Sequence, residues 1–187
     1  MVNSEKTLVP WATLDSERVL DNPYMRIRRE TVRLPSGRVY RDYFIHERRG
    51  WVAIYARTGD GRVLLNRQYK HGIKQVVLEL PAGGLDPDEV PDAAARRELE
   101  EETGYRAETL RLLGKFILDP TGSDGYIYLF GADNVTPTGQ KSADDREEIE
   151  NVLMPETELP ELIRTGMITV LSHIGLIHFA LALNQDH

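Results

Sequence analysis

Residues 83–105 read GGLDPDEVPDAAARRELEEETGY. The run 93–103 contains neither proline nor glycine and predicts a helix, with Pro91 tolerated in its first turn and Gly104 as a left-handed stop. Glu98, Glu100, Glu101 and Glu102 crowd the last turn, the negative end of the helix dipole, where Lys or Arg is expected. Glu98, Glu101 and Glu102 stand at i, i+3 and i+4, so they share a face and repel by roughly 0.2–0.5 kcal/mol per pair. Glu100 points away from them into solvent. Taken alone, such a run also reads as a solvated acidic face, but a helix shaped only for stability is not written this way. The pattern asks for positive charge on that face, and a divalent cation is its simplest source.

The spacing around the acids is more specific. Gly83, Glu89, Arg97, Glu98, Leu99, Glu101, Glu102, Gly104 and Tyr105 form the string G-x5-E-x7-R-E-L-x-E-E-x-G-Y. Chance places it at about one register in 10^8 at average residue usage. The string resembles the signature of the Nudix hydrolases, G-x5-E-x7-R-E-U-x-E-E-x-G-U with U a bulky apolar residue. Every fixed position matches, and the aromatic Tyr105 at the last U changes packing rather than chemistry.

Outward from this helix on the N-terminal side, 76–80 predicts a short strand running into a loop Pro81-Ala82-Gly83-Gly84. Residues 51–56 and 63–69 predict a hairpin about Asp60-Gly61, and 24–33 and 39–47 a second about Pro35-Ser36-Gly37. Residues 1–23 read as irregular. On the C-terminal side, 110–118 and 126–132 predict strands joined by Asp119-Pro120-Thr121-Gly122-Ser123-Asp124-Gly125, 133–146 a polar loop and 149–154 a strand. Residues 159–165 predict a short helix closed by Gly166, and 172–183 a last helix with Ile174, Ile177 and Leu181 on one face. This order gives a mixed α/β (α+β) class. The resemblance implies its specific form, an α/β/α sandwich with a mixed curved sheet and an N-terminal β-hairpin extension. The expected division is a β-region over 1–48 and a catalytic domain over 49–187. In the branch of the family that cleaves nucleotide sugars, such a β-region commonly builds a swapped dimer, so a homodimer is expected.

Composition narrows the partners. The chain has 187 residues, 23 basic and 30 acidic, with net charge −7 and no cysteine. Disulfides, thiol nucleophiles and cysteine zinc sites are excluded, and nucleic acid or an anionic membrane is not the expected partner. No apolar signal core opens the sequence. The longest apolar stretch, 167–183, is broken by Ser172, His173, Gly175 and His178. A cytoplasmic protein is the expectation.

The resemblance implies hydrolysis of a diphosphate attached to a nucleoside, supported by Mg²⁺ or Mn²⁺. Hard ions of this kind take oxygen ligands, and Glu98, Glu101 and Glu102 supply them. By resemblance the Ala82 carbonyl joins this set. Arg97 is expected to pair with Glu89, to tie loop to helix and to keep the neighbouring carboxylates ionised. Gly83 and Gly84 allow backbone to approach a phosphate or turn tightly. Glu79, a polar residue in an apolar strand, is expected to face the substrate. By resemblance the general base is a glutamate beyond the signature, Glu147 or Glu148, with Glu98 as the alternative. Arg41 matches an arginine that holds pyrophosphate, and Lys70 stands where an arginine is usual, keeping charge but losing the bidentate fork. Pro120, 15 positions after Tyr105, resembles the ADP-ribose-cleaving branch, although the usual Ser-Pro-Gly is here Asp119-Pro120-Thr121-Gly122. ADP-ribose is therefore the favoured substrate. GDP-mannose or a broad set of sugar nucleotides comes second and nucleoside triphosphates third. A Nudix-like module that senses a nucleotide without cutting it is the reading from another class.

Overall fold

The structure is a computed structural model that describes residues 8–139, 141 and 148–184. It divides into two compact units, Met1–Arg48 with Asp119–Gly125, and Arg49–Leu118 with Tyr126–His187.

The first unit is an antiparallel meander of β1 (Ala12–Asp21), β2 (Arg26–Arg33) and β3 (Val39–His46). The strand β1 replaces the irregular segment expected there. All ten of its residues are exposed, so no apolar alternation marks it. It is held instead by its ladder to β2 and by cross-strand pairs such as Glu17–Arg29 at 2.7 Å. Between β2 and β3 the register slips so that Arg41 and Asp42 together face Thr31, with Asp42 at φ 70°. This is a β-bulge, a device that re-aims side chains. The segment Asp119–Gly125 is fastened to the meander by His46 N–H to Gly122 O at 2.8 Å, by Arg28 Nη1 to Asp124 at 2.5 Å and by the Tyr43 hydroxyl to Thr121 O at 2.9 Å.

The second unit holds β4 (Trp51–Ala56), β5 (Arg62–Lys70), β6 (Gln75–Glu79), β7 (Ala82–Gly84), α1 (Pro91–Thr103), β8 (Tyr105–Arg106), β9 (Arg111–Ile117), β10 (Tyr126–Ala132), β11 (Thr136–Pro137), β12 (Ile149–Pro155), a 3₁₀ turn Glu156–Glu158, α2 (Leu159–Arg164) and α3 (Leu171–Asn184). Its sheets run β7-β4-β10-β9 and β12-β5-β6; β4 and β10 are parallel and the other pairs antiparallel. Two expectations need correction. Part of the loop after β6 is the strand β7, paired with β4 through Val52 and Gly83, which two glycines conceal. The polar loop contains β11, only two residues long and paired with β8.

The strand β4 is almost wholly buried and explains the layering. Val52, Ile54 and Ala56 pack with Ala94, Ala95 and Leu99 of α1. Ala53 and Tyr55, on the other face, pack with Leu159 of α2 and Leu176, Ile177 and Ala180 of α3. This is the expected mixed α/β class, with helices on both faces of the strands. Leu99 is 1% exposed, and its burial contributes roughly 1.5–3 kcal/mol to pinning α1 on the sheet. Among the described residues no helix is long and apolar enough to cross a membrane.

Candidate active site

Helix α1 starts at Pro91 without a side-chain cap and is stapled early by Asp92–Arg96 at 2.9 Å. It ends on Gly104 at φ 67°, whose N–H donates to Glu100 O at 2.8 Å, the left-handed stop expected. Its buried face carries Ala94, Ala95 and Leu99, and also Glu98 and Glu102. Two carboxylates thus sit where an ordinary amphipathic helix would place leucines. No basic residue occupies the last turn.

Arg97 supplies the compensating charge. Its Nε and Nη2 grip the two Glu89 oxygens at 3.0 and 2.9 Å, Nη1 reaches Glu98 at 2.8 Å and Glu101 at 3.1 Å, and Nη2 also donates to Gly84 O at 3.0 Å. All five guanidinium N–H groups are engaged. The Glu89 carboxylate, and secondarily Glu98, hold the Arg97 pKa above its ordinary value; Arg97 in turn holds the Glu89 carboxyl below its own. The expected Arg97–Glu89 pair is therefore present and ties the segment after β7 to the helix.

Glu98 owes its position to a missing atom. A Cβ at Gly83 would lie 2.1 Å from the Glu98 carboxyl carbon, so this carboxylate fills the place a side chain on β7 would take. Gly84 has open space at the same point. Glu102, 4% exposed, receives two neutral donors on Oε2, the Ala82 N–H at 2.8 Å and Asn66 Nδ2 at 2.9 Å. Glu101 is more open, with a side chain 42% exposed. Ala82, Gly83, Gly84, Arg97, Glu98, Glu101 and Glu102 thus form one cluster. Among the described residues no three acidic or histidine side chains already stand as a metal cage. The donor set is nonetheless all oxygen, three carboxylates on one stripe beside backbone carbonyls, and this chemistry fits a hard divalent cation.

Lys70 and Glu79 engage each other at 2.6 Å, and Glu79 is buried. Arg41 lies at the bulge of β3, and Pro120 and Thr121 in the segment bound to the first unit. Glu148 is exposed just before β12; Glu147 lies outside the described residues.

Three polar residues to which the sequence assigns no role stand near this cluster: Asn66, Asn151 and His173. Asn66 is the last of four consecutive buried residues in β5, Val63-Leu64-Leu65-Asn66, and that break in an apolar run was its one visible signal. His173, 1% exposed, accepts the Leu80 N–H on Nδ1 at 3.0 Å, and so anchors the chain just before Ala82. Among the described residues its Nε2 has no hydrogen-bond partner, and it stands 3.6 Å from Glu79.

Burial, and then the Lys70 ammonium, push the His173 pKa down from 6.5 to about 4. Between these two values the unfolded chain binds the extra proton, so the contribution to stability is complete above pH 6.5 and lost as the pH falls toward 4. Denaturant melts should show about 2 kcal/mol lost between pH 7 and pH 5, above the range in which carboxylates titrate. A His173→Leu variant should be less stable at pH 7, with its Leu80 N–H unpaired, but flat across that window. An equally steep slope in the variant would contradict the assignment.

Residues 46–173 match the model of the NUDIX domain. The chain belongs to the Nudix family. Residues 11–46 match a second model, the nucleoside diphosphate sugar hydrolase N-terminal domain. Among curated relatives, the ADP-ribose pyrophosphatase of Bacillus subtilis (strain 168) is 30% identical over 141 residues, 75% of this chain and 76% of the relative. The GDP-mannose pyrophosphatase of Cronobacter sakazakii is 29% identical over 175 residues, 83% of this chain and 87% of the relative. A solved structure titled ADP compounds hydrolase superposes with a TM-score of 0.83 over 97% of both chains at 22% identity, which shows the shared Nudix fold. Nudix hydrolases generally use divalent metal ions, in keeping with the all-oxygen stripe on α1.

Proposed function

We propose that this Nudix hydrolase cleaves the diphosphate of a nucleoside diphosphate sugar, with ADP-ribose favoured, and that it does so with Mg²⁺ or Mn²⁺. The observation that carries the reading is the pairing of two matches in one chain, a nucleoside diphosphate sugar hydrolase N-terminal domain followed by a Nudix domain. Water adds to one phosphorus, the P–O–P bridge breaks, and a nucleoside monophosphate and a sugar phosphate leave. Relatives named GDP-mannose pyrophosphatase support that sugar nucleotide as the second reading.

Glu98, Glu101 and Glu102, with the Ala82 carbonyl, would hold the ion. When bound, it supplies charge neutralisation for the diphosphate oxygens and acidifies a water. Arg97 keeps its carboxylates ionised and fixed. Glu148 or Glu147 takes the proton from the attacking water. Arg41 and Lys70 offset substrate charge, and Gly83, Gly84, Pro120 and Thr121 shape backbone against it. Glu79 acts by holding Lys70. We place the enzyme in the cytoplasm as a homodimer built through its N-terminal β-region.

Turnover of ADP-ribose, GDP-mannose, other diphosphate sugars and nucleoside triphosphates, each with Mg²⁺ or Mn²⁺, tests the assignment. The highest kcat/KM is expected for ADP-ribose. Tight nucleotide binding with no turnover of any substrate would make the chain a sensor instead. Of Glu147→Gln and Glu148→Gln, made separately, one is expected to lose on the order of 10²–10⁴ in kcat. Full activity in both would exclude these two residues as the base.

A further inference from the structure

Asn66 of β5 and Asn151 of β12 are direct cross-strand partners. Asn66 is 1% exposed, and a buried amide must place every polar atom. A continuous chain of hydrogen bonds runs through the pair. Lys141 Nζ donates to Asn151 Oδ1 at 3.2 Å and to Ile149 O at 2.5 Å. Asn151 Nδ2 donates to Asn66 Oδ1 at 2.9 Å and to the Glu102 backbone carbonyl at 3.2 Å. Asn66 Nδ2 then donates to Glu102 Oε2 at 2.9 Å.

The ends of this chain fix its direction. An ammonium can only donate and a carboxylate can only accept. Asn151 must therefore turn its oxygen to Lys141 and its NH2 to Asn66, and Asn66 must turn its NH2 to Glu102. Neither amide can flip without placing two acceptors, or two donors, face to face. Glu102 is thereby held at both levels: its carboxylate by Asn66 and the Ala82 N–H, its backbone carbonyl by Asn151.

We propose that Asn66 and Asn151 are positioning residues for the divalent ion, presetting the Glu102 carboxylate from behind. The proposal rests on Glu102 being an ion ligand, the reading given under Proposed function. Partners that orient a ligating carboxylate typically change metal affinity by about 10–100-fold when removed. The alternative is that the amides only set the register of β12 against β5, in which case they would govern folding and leave ion affinity alone.

The test is Mn²⁺ binding to the whole protein, read from the electron paramagnetic resonance signal of free Mn²⁺, alongside thermal melts. In the double variant Asn66→Leu/Asn151→Leu the amide–amide contact goes as a pair, but the Glu102 carboxylate, the Glu102 carbonyl and Lys141 each lose a partner, so a lower melting temperature with the fold retained is expected. Its Mn²⁺ dissociation constant is expected to rise at least about tenfold. Asn151→Asp keeps the contact with Lys141 but removes the donor to Asn66, and it should also weaken Mn²⁺ binding; it serves where the double variant does not fold. Glu102→Gln is the control on the underlying reading. Wild-type affinity in both Asn variants, with Glu102→Gln impaired, would overturn this proposal alone. Wild-type affinity in Glu102→Gln, or no Mn²⁺ binding by the wild type, would overturn the ligand assignment and this proposal together.

Discussion

Glu98→Gln is expected to lower kcat for ADP-ribose by about 10³-fold or more, some 4 kcal/mol of transition-state stabilisation, while leaving the protein as stable as the wild type. The split follows from where Glu98 sits. Glutamine keeps its volume against Gly83 and accepts a hydrogen bond from Arg97, which retains Glu89 and Glu101. Removing one charge from the i, i+3, i+4 stripe also relieves repulsion worth roughly 0.2–0.5 kcal/mol per pair. A residue kept for folding would show the reverse, lost stability with residual activity. A kcat within a few-fold of the wild type, with the melting temperature unchanged, would remove Glu98 from the reaction.

Gly83→Ala should be nearly as damaging to turnover, by a different route. The backbone at Gly83 is not left-handed, so alanine is conformationally acceptable there. The new methyl would nevertheless lie 2.1 Å from both the Glu98 carboxyl carbon and Oε1, and 2.3 Å from Oε2. What must give way is the far end of a flexible side chain, so folding should cost less than about 1 kcal/mol. The carboxylate, however, is pushed off its position, and a displacement of about 1 Å at a reacting centre can cost 10²-fold. A loss of kcat of at least that order, with a near-native melt, is expected. A fully active Gly83→Ala enzyme would mean that the Glu98 position described here is not the one used in turnover.

These effects separate what a sequence shows from what it hides. The strand β4 was legible to the residue because a continuous apolar run is the signature of a strand buried on both faces. Helix α1 was legible through Pro91, Gly104 and the spacing of its acids. The strand β1 was not, because all its residues are exposed and its pairing rests on backbone and ion pairs that leave no periodicity. At the site, Glu98, Glu101, Glu102 and Arg97 announced themselves because carboxylates at a helix C-terminus have to be explained. Asn66 and Asn151 did not. Their meaning comes from the β12–β5 register, which brings together residues far apart in the chain. Glu79 looked like a residue facing substrate because it interrupts an apolar strand; its carboxylate pairs with Lys70 at 2.6 Å and stands 3.6 Å from His173.

The central claim is that the acidic stripe of α1 grips divalent ions against a diphosphate. Its most direct test is an anomalous difference map at the manganese edge, from crystals holding Mn²⁺ and a non-hydrolysable ADP-ribose analogue. The account predicts a peak within ligand distance of Glu98, Glu101 and Glu102, beside the analogue's diphosphate. A map with the analogue bound and no peak at those carboxylates would contradict it.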